Sequence, residues 1–400
     1  MSSSPAPSDS NIVYVDSQNG YIARVNLKTG VSKFIRPTLE DVSQKPPSAL
    51  TYRFDWTSPI AVSPTSADEV FPGGNVLFKS VDGGAHWSVI SPDVTHNDKS
   101  RQRTSGGPIE YDSGGAETYN TILSITLAPT DTNVIWLGTD DGNVEVTRDG
   151  GKSWRNARPA AKGLPPEGRV YQVGVSPFDA GTAYITLDYH MFGDDRPFVF
   201  KTTNYGASWT SIAAGLPATA RAHVVREDPR DRNFLVLGTD AGLWYSRDGG
   251  AHWESLAKEF PAAPVFDVSF VRNTRALAVR RRDRGRHARH GAGGGPRRPA
   301  HSVRHDGGAR ATVGAGLCAV LLVRRGAERH HAAGNGGVAR GAAGLPGAIR
   351  GIAAHGRSGV QYAGGPARNG RRDRAVGSGG GYGNGARAPF PAPRAASFVA

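Results

Sequence analysis

The residues of this chain whose types and spacing could do chemistry are carboxylates gathered around an imidazole. Asp188, His190, Asp194, Asp195 and Arg196 fall within one short stretch. Asp140 and Asp141 stand in Gly138-Thr-Asp-Asp-Gly142, and Asp240 follows Thr239 in a similar context. Glu110, Tyr111, Asp112 and Glu117 belong to a long polar segment between Thr95 and Thr118. Two carboxyl groups standing ~5–10 Å apart across a sugar can cleave a glycosidic bond, one giving a proton while the other activates water or attacks. Glu117 and Asp188 are the candidates for that pair, although nothing in the sequence assigns their roles. Against this stands a plainer role: Asp in a Thr-Asp-x-Gly loop closes a turn. That reading is the heavier one for Asp140 and Asp240. Asp188, His190, Asp194 and Asp195 could also ligate a divalent cation. Their spacing matches no known loop signature, so neither a metal nor a cofactor is expected. Without chemistry, the same groups would bind. Glu110, Asp112, Asp141, His190, Asp194, Asp195 and Arg196 are candidate ligand contacts, with Trp56 as an aromatic platform.

Other chemistries find no foothold. There is no Gly-x-Ser-x-Gly, no Gly-x-x-x-x-Gly-Lys and no His-Glu-x-x-His. The single cysteine, Cys318, excludes an intrachain disulfide and a cysteine-based metal site. The longest apolar run, Val313 to Val323, is too short for a bilayer span, which needs ~20 apolar residues. The opening Met-Ser-Ser-Ser-Pro-Ala-Pro has no apolar core and does not read as a signal peptide.

The elements that must position these residues are announced by a repeated octet, [ST]-x-[DN]-x-G-x-x-W. Its fixed positions are Ser80, Asp82, Gly84 and Trp87, then Thr147, Asp149, Gly151 and Trp154. It returns as Thr202, Asn204, Gly206 and Trp209, and again as Ser246, Asp248, Gly250 and Trp253. The octet reads as a hairpin turn. Asp or Asn accepts backbone N–H groups, Gly takes a conformation other residues resist, and Trp opens the next strand and covers the sheet. A short strand precedes each octet and another follows it. Further upstream lie two more strands around a Pro/Asp loop, such as Ile122 to Pro129 and Val134 to Leu137. Four strands per unit, here called A to D, with the octet between C and D, are the blades of a β-propeller. The blades span about 9–37, 58–96, 121–160, 169–214 and 220–259, with a partial sixth beginning at Val265. The expected fold is therefore all-β: about five four-stranded antiparallel blades plus a partial one, in an arc or a five-bladed ring. Ser4-Pro-Ala-Pro-Ser reads as an A–B loop, leaving the first blade without a strand A that Val265 to Phe270 could supply. Trp136 and Trp244 lie on B and C strands and read as packing.

The octets resemble the Asp-box, or BNR, repeat of sialidases, sortilin-type receptors and related bacterial propellers. Arg53-Phe-Asp-Trp56, Val89-Ile-Ser-Pro-Asp93, Gly106-Gly-Pro-Ile109, Gly138-Thr-Asp-Asp-Gly142 and Val224-Val-Arg-Glu-Asp228 look like one bacterial group of sortilin-like or BNR glycosyl-hydrolase-like proteins. The resemblance covers about 10–280. It implies a structural role for the octet and a secreted or periplasmic location. It leaves function open, because the repeat occurs in both enzymes and receptors. A sialidase would need three arginines on the substrate carboxylate, a Tyr–Glu pair and an Arg-Ile-Pro motif. This chain has Phe34-Ile-Arg-Pro37, which reads as packing and a turn. The expected function is a non-catalytic, sortilin-like propeller taking a peptide, protein or other extended polar ligand at the face of the B–C and D–A loops. Clustered carboxylates there would favour cationic ligands. The alternatives are a glycoside hydrolase of xyloglucanase-like type acting on polysaccharide, or its inactive remnant, and an assembly scaffold.

Composition divides the chain. Residues 1–278 hold 26 Lys and Arg against 31 Asp and Glu, whereas residues 279–400 hold 22 Arg against four acidic residues. The pI of about 10.0 thus belongs to the tail and not to the part that can bury a core. Residues 1–279 read as the propeller and 280–400 as a disordered Ala/Gly/Arg-rich tail. An RNA-binding tail is disfavoured because no Arg-Gly-Gly occurs and aromatics for stacking are scarce. Nucleic acid is accordingly not an expected partner. The composition breaks inside a strand and not at a linker, which points to out-of-frame translation of a GC-rich gene.

Overall fold

The computed structural model describes residues 3–42, 45–104, 115, 118–159, 164, 167–256 and 263–270, together with the backbone of 105–106, 111–112, 276–281, 318–322 and 350–352. The chain divides into Met1–Ser358 and Gly359–Ala400, and every described residue belongs to the first unit.

The fold is a β-propeller of antiparallel four-stranded units, each an up-and-down meander in the order A-B-C-D. The first runs Ser3–Ala6, Asp9–Asp16, Ile22–Asn26, Ser32–Phe34. The second is split into Ile60–Val62 with Val70–Pro72, and Phe78–Lys79 with Ser88–Val89. Bridges at Val70–Ser80 and Gly73–Leu77 join its halves. The third runs Ile122–Ala128, Asp131–Thr139, Val144–Thr147, Arg155–Asn156. The fourth runs Arg169–Val175, Ala183–Tyr189, Asp194–Thr202, Thr210–Ser211. The fifth runs Ala222–Asp228, Asp231–Thr239, Gly242–Ser246, Glu254–Ser255. The sixth opens with Val265–Phe270 and Ala276–Arg281. It continues with Cys318–Leu322 and Arg350–Ile352, two strands drawn from the Ala/Gly/Arg-rich segment.

Two expectations are corrected. The first sheet has its own strand A: Ser3–Ala6 pairs with Asp9–Asp16, with Pro5 opposite Val13. Its prolines made it read as a loop, but strand A is an edge, where a missing N–H disturbs no ladder. Val265–Phe270 therefore does not complete the first sheet; it pairs with Ala276–Arg281.

The core lies between sheets. Trp136, Val144 and Val146 of the third sheet pack with Val170, Ile185 and Phe200 of the fourth. Tyr184 and Val199 of the fourth pack with Val225, Leu235 and Leu237 of the fifth. The A strands of the third to sixth sheets pack on one another in chain order, so these strands form the inner edge.

The octets clamp each sheet to the one before it. In the first octet Ser80 Oγ donates to Asp82 Oδ1 at 2.8 Å and accepts the Gly84 N–H at 2.8 Å, while Asp82 Oδ1 accepts the N–H groups of Ala85 and His86 at 2.9 Å each. The same pattern recurs at Thr147/Asp149, Thr202/Asn204 and Ser246/Asp248. Gly84 has φ +89°, and a Cβ on it would stand 2.6 Å from Cβ of Ile35, just past strand D of the preceding sheet. The octet tryptophan completes the clamp. Trp154, Trp209 and Trp253 donate their indole N–H to the carbonyls of Ile90, Ala157 and Ile212 at 2.8, 2.7 and 2.6 Å.

Candidate ligand-binding face

An up-and-down meander puts the octets at one end of each sheet, and the starts of A with the B–C loops at the other. At that second end one carboxylate recurs in register. Asp188, at the end of strand B, faces Arg169 at the start of strand A. Asp140 and Asp240 hold the same place one residue past strand B. Asp140 gives its N–H to Thr121 O at 3.0 Å and accepts from Thr121 N and Oγ1 at 2.9 and 3.0 Å. Asp240 gives its N–H to Arg221 O at 3.0 Å and accepts from Arg221 Nε at 2.5 Å and His223 Nε2 at 2.6 Å. These aspartates tie the loop to the beginning of strand A.

Near the third sheet the carboxylates are buried in a hydrogen-bonded network. Asp141 accepts from Asn120 Nδ2 at 2.6 Å, His96 N at 2.7 Å and Thr139 Oγ1 at 2.5 Å. Arg53, also buried, donates to Asp93 at 2.7 Å. Burial pushes the Asp140 carboxyl up to about 7, with the charges of Asp141 and Asp55 adding to the shift and the Thr121 bonds opposing it. Trp56 is half exposed beside Asp55, whose Oδ1 accepts its backbone N–H.

Between the fourth and fifth sheets the polar groups are ion-paired. His190 Nδ1 lies 2.7 Å from Asp188 Oδ2. Arg196 lies 2.6 Å from Asp194, and its guanidinium sits over the Phe198 ring. Asp195, 60% exposed, lies 3.5 Å from Arg221. Of the four carboxylates here, Asp194 faces Arg196, Asp195 and Asp240 share Arg221, and Asp188 faces His190. Among the described residues no three His, Cys, Asp or Glu side chains are grouped as a metal ion would require. Asp188, His190, Asp194, Asp195 and Arg196 come together with Arg221, His223 and Asp240. Asp141 belongs to the other network. Glu110 and Glu117 lie outside the described residues, and of Asp112 only the backbone is described, paired with Ser105.

Sequence reading missed a column of residues on the inner strands. In four A strands the register slips by one residue at the same place, and the ladder skips Leu123, Tyr171, His223 and Phe266 at β-bulges. A bulge re-aims its side chain. The last three rings converge from three sheets: Tyr171 to His223 at 4.9 Å, His223 to Phe266 at 4.5 Å and Tyr171 to Phe266 at 6.3 Å between centroids. The available signal was a shared column. In the A strands of the third to sixth sheets a large side chain directly follows a buried apolar residue: Leu123 after Ile122, Tyr171 after Val170, His223 after Ala222 and Phe266 after Val265.

No protein-family model and no curated protein matches the chain. Among solved structures, an ancestral GH74 enzyme is similar at 18% identity over 70% of this chain and 34% of its own, with a TM-score of 0.48. The GH74 xyloglucanase from Xanthomonas campestris is similar at 19% identity over 63% of this chain and 37% of its own, with a TM-score of 0.44. YCF48 bound to D1 peptide is similar at 14% identity over 70% of this chain and 78% of its own, with a TM-score of 0.40. The chain spans about a third of the length of the two GH74 structures.

Proposed function

We propose that the chain is a non-catalytic ligand-binding propeller of the Asp-box, sortilin-like kind, taking a peptide or other extended polar ligand at the face that carries the B–C loops. One observation supports this. The described carboxylates Asp140, Asp141, Asp188, Asp194 and Asp240 are each held by the protein's own donors. A glycosidase keeps two carboxyls open to the sugar between them. Carboxylates locked in place instead fix the loops that carry the exposed side chain of Asp195 and face the same end of the sheets as Trp56. A test is an array of fluorescein-labelled decapeptides. Binding weakened at least tenfold by Trp56→Ala with Asp195→Asn supports the reading, and binding unaffected by both changes refutes the site.

A second reading, a xyloglucanase-like glycoside hydrolase or its remnant, draws on the Asp140 carboxyl. A group raised to about 7 by burial has the acidity a general acid needs. Glu117 and Asp188 are the first candidates for its catalytic pair. We also propose a secreted or periplasmic location, and that residues 280–400 are translated out of frame. An indel near the Val279 codon supports the latter, and an intact gene overturns it.

A further inference from the structure

At the octet end, opposite the B–C loops, the joints between neighbouring sheets are not filled alike. Between the third and fourth sheets, the Arg148 guanidinium of one octet lies 4.1 Å from the centre of the Tyr205 ring of the next. Between the fourth and fifth sheets the same two octet positions hold Thr203 and Gly249. There a pocket of about 360 Å³ opens, lined by Lys201, Thr203, Ser208, Thr210, Ser211 and the turn 248–251. A Cβ on Gly249 would meet Lys201 Nζ at 3.4 Å and Asn233 Oδ1 at 3.9 Å, ordinary contact distances. Lys201 lacks a partner that its counterpart has. Lys79 holds the same place in the second sheet, with its ammonium 5.4 Å from the Phe71 ring and 2.7 Å from Glu69. The Lys201 ammonium lies 5.5 Å from the Tyr184 ring, but Thr182 stands where Glu69 would, and its hydroxyl donates to Asp179. Among the described residues Lys201 makes no hydrogen bond and no ion pair. Glu227, buried and bonded to the Tyr184 hydroxyl at 3.1 Å, acts on it only at longer range.

We propose that this pocket binds an oxyanion, a carboxylate or phosphate group carried on a polar body about the size of a monosaccharide. Its lining is rich in donors. The Lys201 ammonium is uncommitted, and none of the hydroxyls of Thr203, Ser208, Thr210 and Ser211 donates to the protein; those of Ser208 and Ser211 accept from Asn204 Nδ2 and Ala213 N. An ammonium beside several hydroxyls matches a ligand that brings acceptors and negative charge. Asp248 is the acid of the lining. Its oxygens are turned to the Ser246 hydroxyl at 2.8 Å, the His252 N–H at 2.9 Å and the His252 ring at 2.6 Å. Its charge opposes an anion, but three donors of its own turn already answer it. The volume lies at the lower end of small-molecule sites, which run from ~300 to ~1,000 Å³, and exceeds what a bare inorganic ion fills. The site stands at the opposite end of the sheets from the B–C loops, so it does not depend on the binding reading above.

The test uses NMR of the full chain with ¹³C in its threonine methyl groups, the Thr203 and Thr210 signals being assigned from Thr203→Ser and Thr210→Ser. Glucose 6-phosphate, glucuronate and neutral glucose are the probes. Both signals should shift saturably, with one Kd, for at least one of the two anions, and glucose should bind about tenfold more weakly or worse. The tighter anion tells whether the oxyanion is a phosphate or a carboxylate. Lys201→Met keeps the stem over Tyr184 and removes the charge, and should weaken binding about tenfold or more. Gly249→Tyr copies the fourth octet, where Tyr205 takes φ 57° at this place, and should abolish the shifts by filling the pocket. The arginine-rich tail is the same in every variant, so its own attraction for anions cancels from the comparison. No shift of Thr203 and Thr210 with either anion overturns the site. So do equal affinities for glucose and the anions, shifts unchanged in Lys201→Met, or binding that Gly249→Tyr leaves intact. If Gly249→Tyr does not fold, Lys201→Met decides alone.

Discussion

Replacing Gly84 by alanine should loosen the second sheet from the first. The new Cβ would sit at φ +89°, a conformation that L-residues avoid, at a strain of about 1–3 kcal/mol. It would also stand 2.6 Å from Cβ and 2.7 Å from Cδ1 of Ile35, closer than real Cβ contacts come. Ile35 is 3% exposed and belongs to the core shared by the two sheets, so it cannot retreat into solvent. Overpacking of this kind costs about 1–3 kcal/mol. Together the change should destabilise by about 2–6 kcal/mol, which at an m-value of ~3 kcal/mol/M lowers a urea midpoint by ~1–2 M. Tryptophan fluorescence would follow the unfolding. The companion change Ile35→Ala removes Cγ2 and Cδ1 but keeps the Cβ that stands 2.6 Å away, so it relieves part of the crowding and none of the strain. The double variant should therefore be less damaged than the sum of its parts, by about 0.5–1 kcal/mol. A Gly84→Ala midpoint within ~0.3 M of wild type, or strict additivity with Ile35→Ala, would refute the clamp.

Two further outcomes follow from the carboxyls. Hydrogen bonds from the His86 N–H and ring, and from Ser80, hold Asp82 well below the usual carboxylate range. Its stabilisation is complete above the unfolded value of about 3.9 and is lost as pH falls toward its own lower value. Asn fills this position in the third octet, so Asp82→Asn should keep the turn while flattening the acid branch of a thermal-stability profile. Asp140 runs the other way. Its folded value of about 7 lies above the unfolded one, so its contribution is complete below about 3.9 and is lost as pH rises through about 7. Calorimetry at pH 5 and pH 8 should show a smaller fall in Tm for Asp140→Asn than for wild type.

What the sequence made legible is what its residues settle locally. Each octet closes on itself within a few positions through Ser or Thr, Asp or Asn, and Gly, so the turns and the strands they join were readable. The clamp was not, because Ile35, Ile90, Ala157 and Ile212 lie 38 to 61 residues before the glycines they meet. The roles of Asp140 and Asp240 depended on Thr121 and Arg221, each 19 residues away. Ser3–Ala6 was hidden by its prolines. Tyr171, His223 and Phe266 were hidden more deeply, since a bulge is a property of register between two strands and leaves no local signature. Asp188, His190 and Asp194 to Arg196 were readable as a group, but their pairing was not.

Binding without turnover is tested most directly by reducing-end release from xyloglucan and β-glucans, measured for the full chain and for its Glu117→Gln and Asp188→Asn variants. No release above the enzyme-free blank from any of the three proteins is the expected result. Release by the unchanged chain that either substitution abolishes would contradict it and establish the hydrolase.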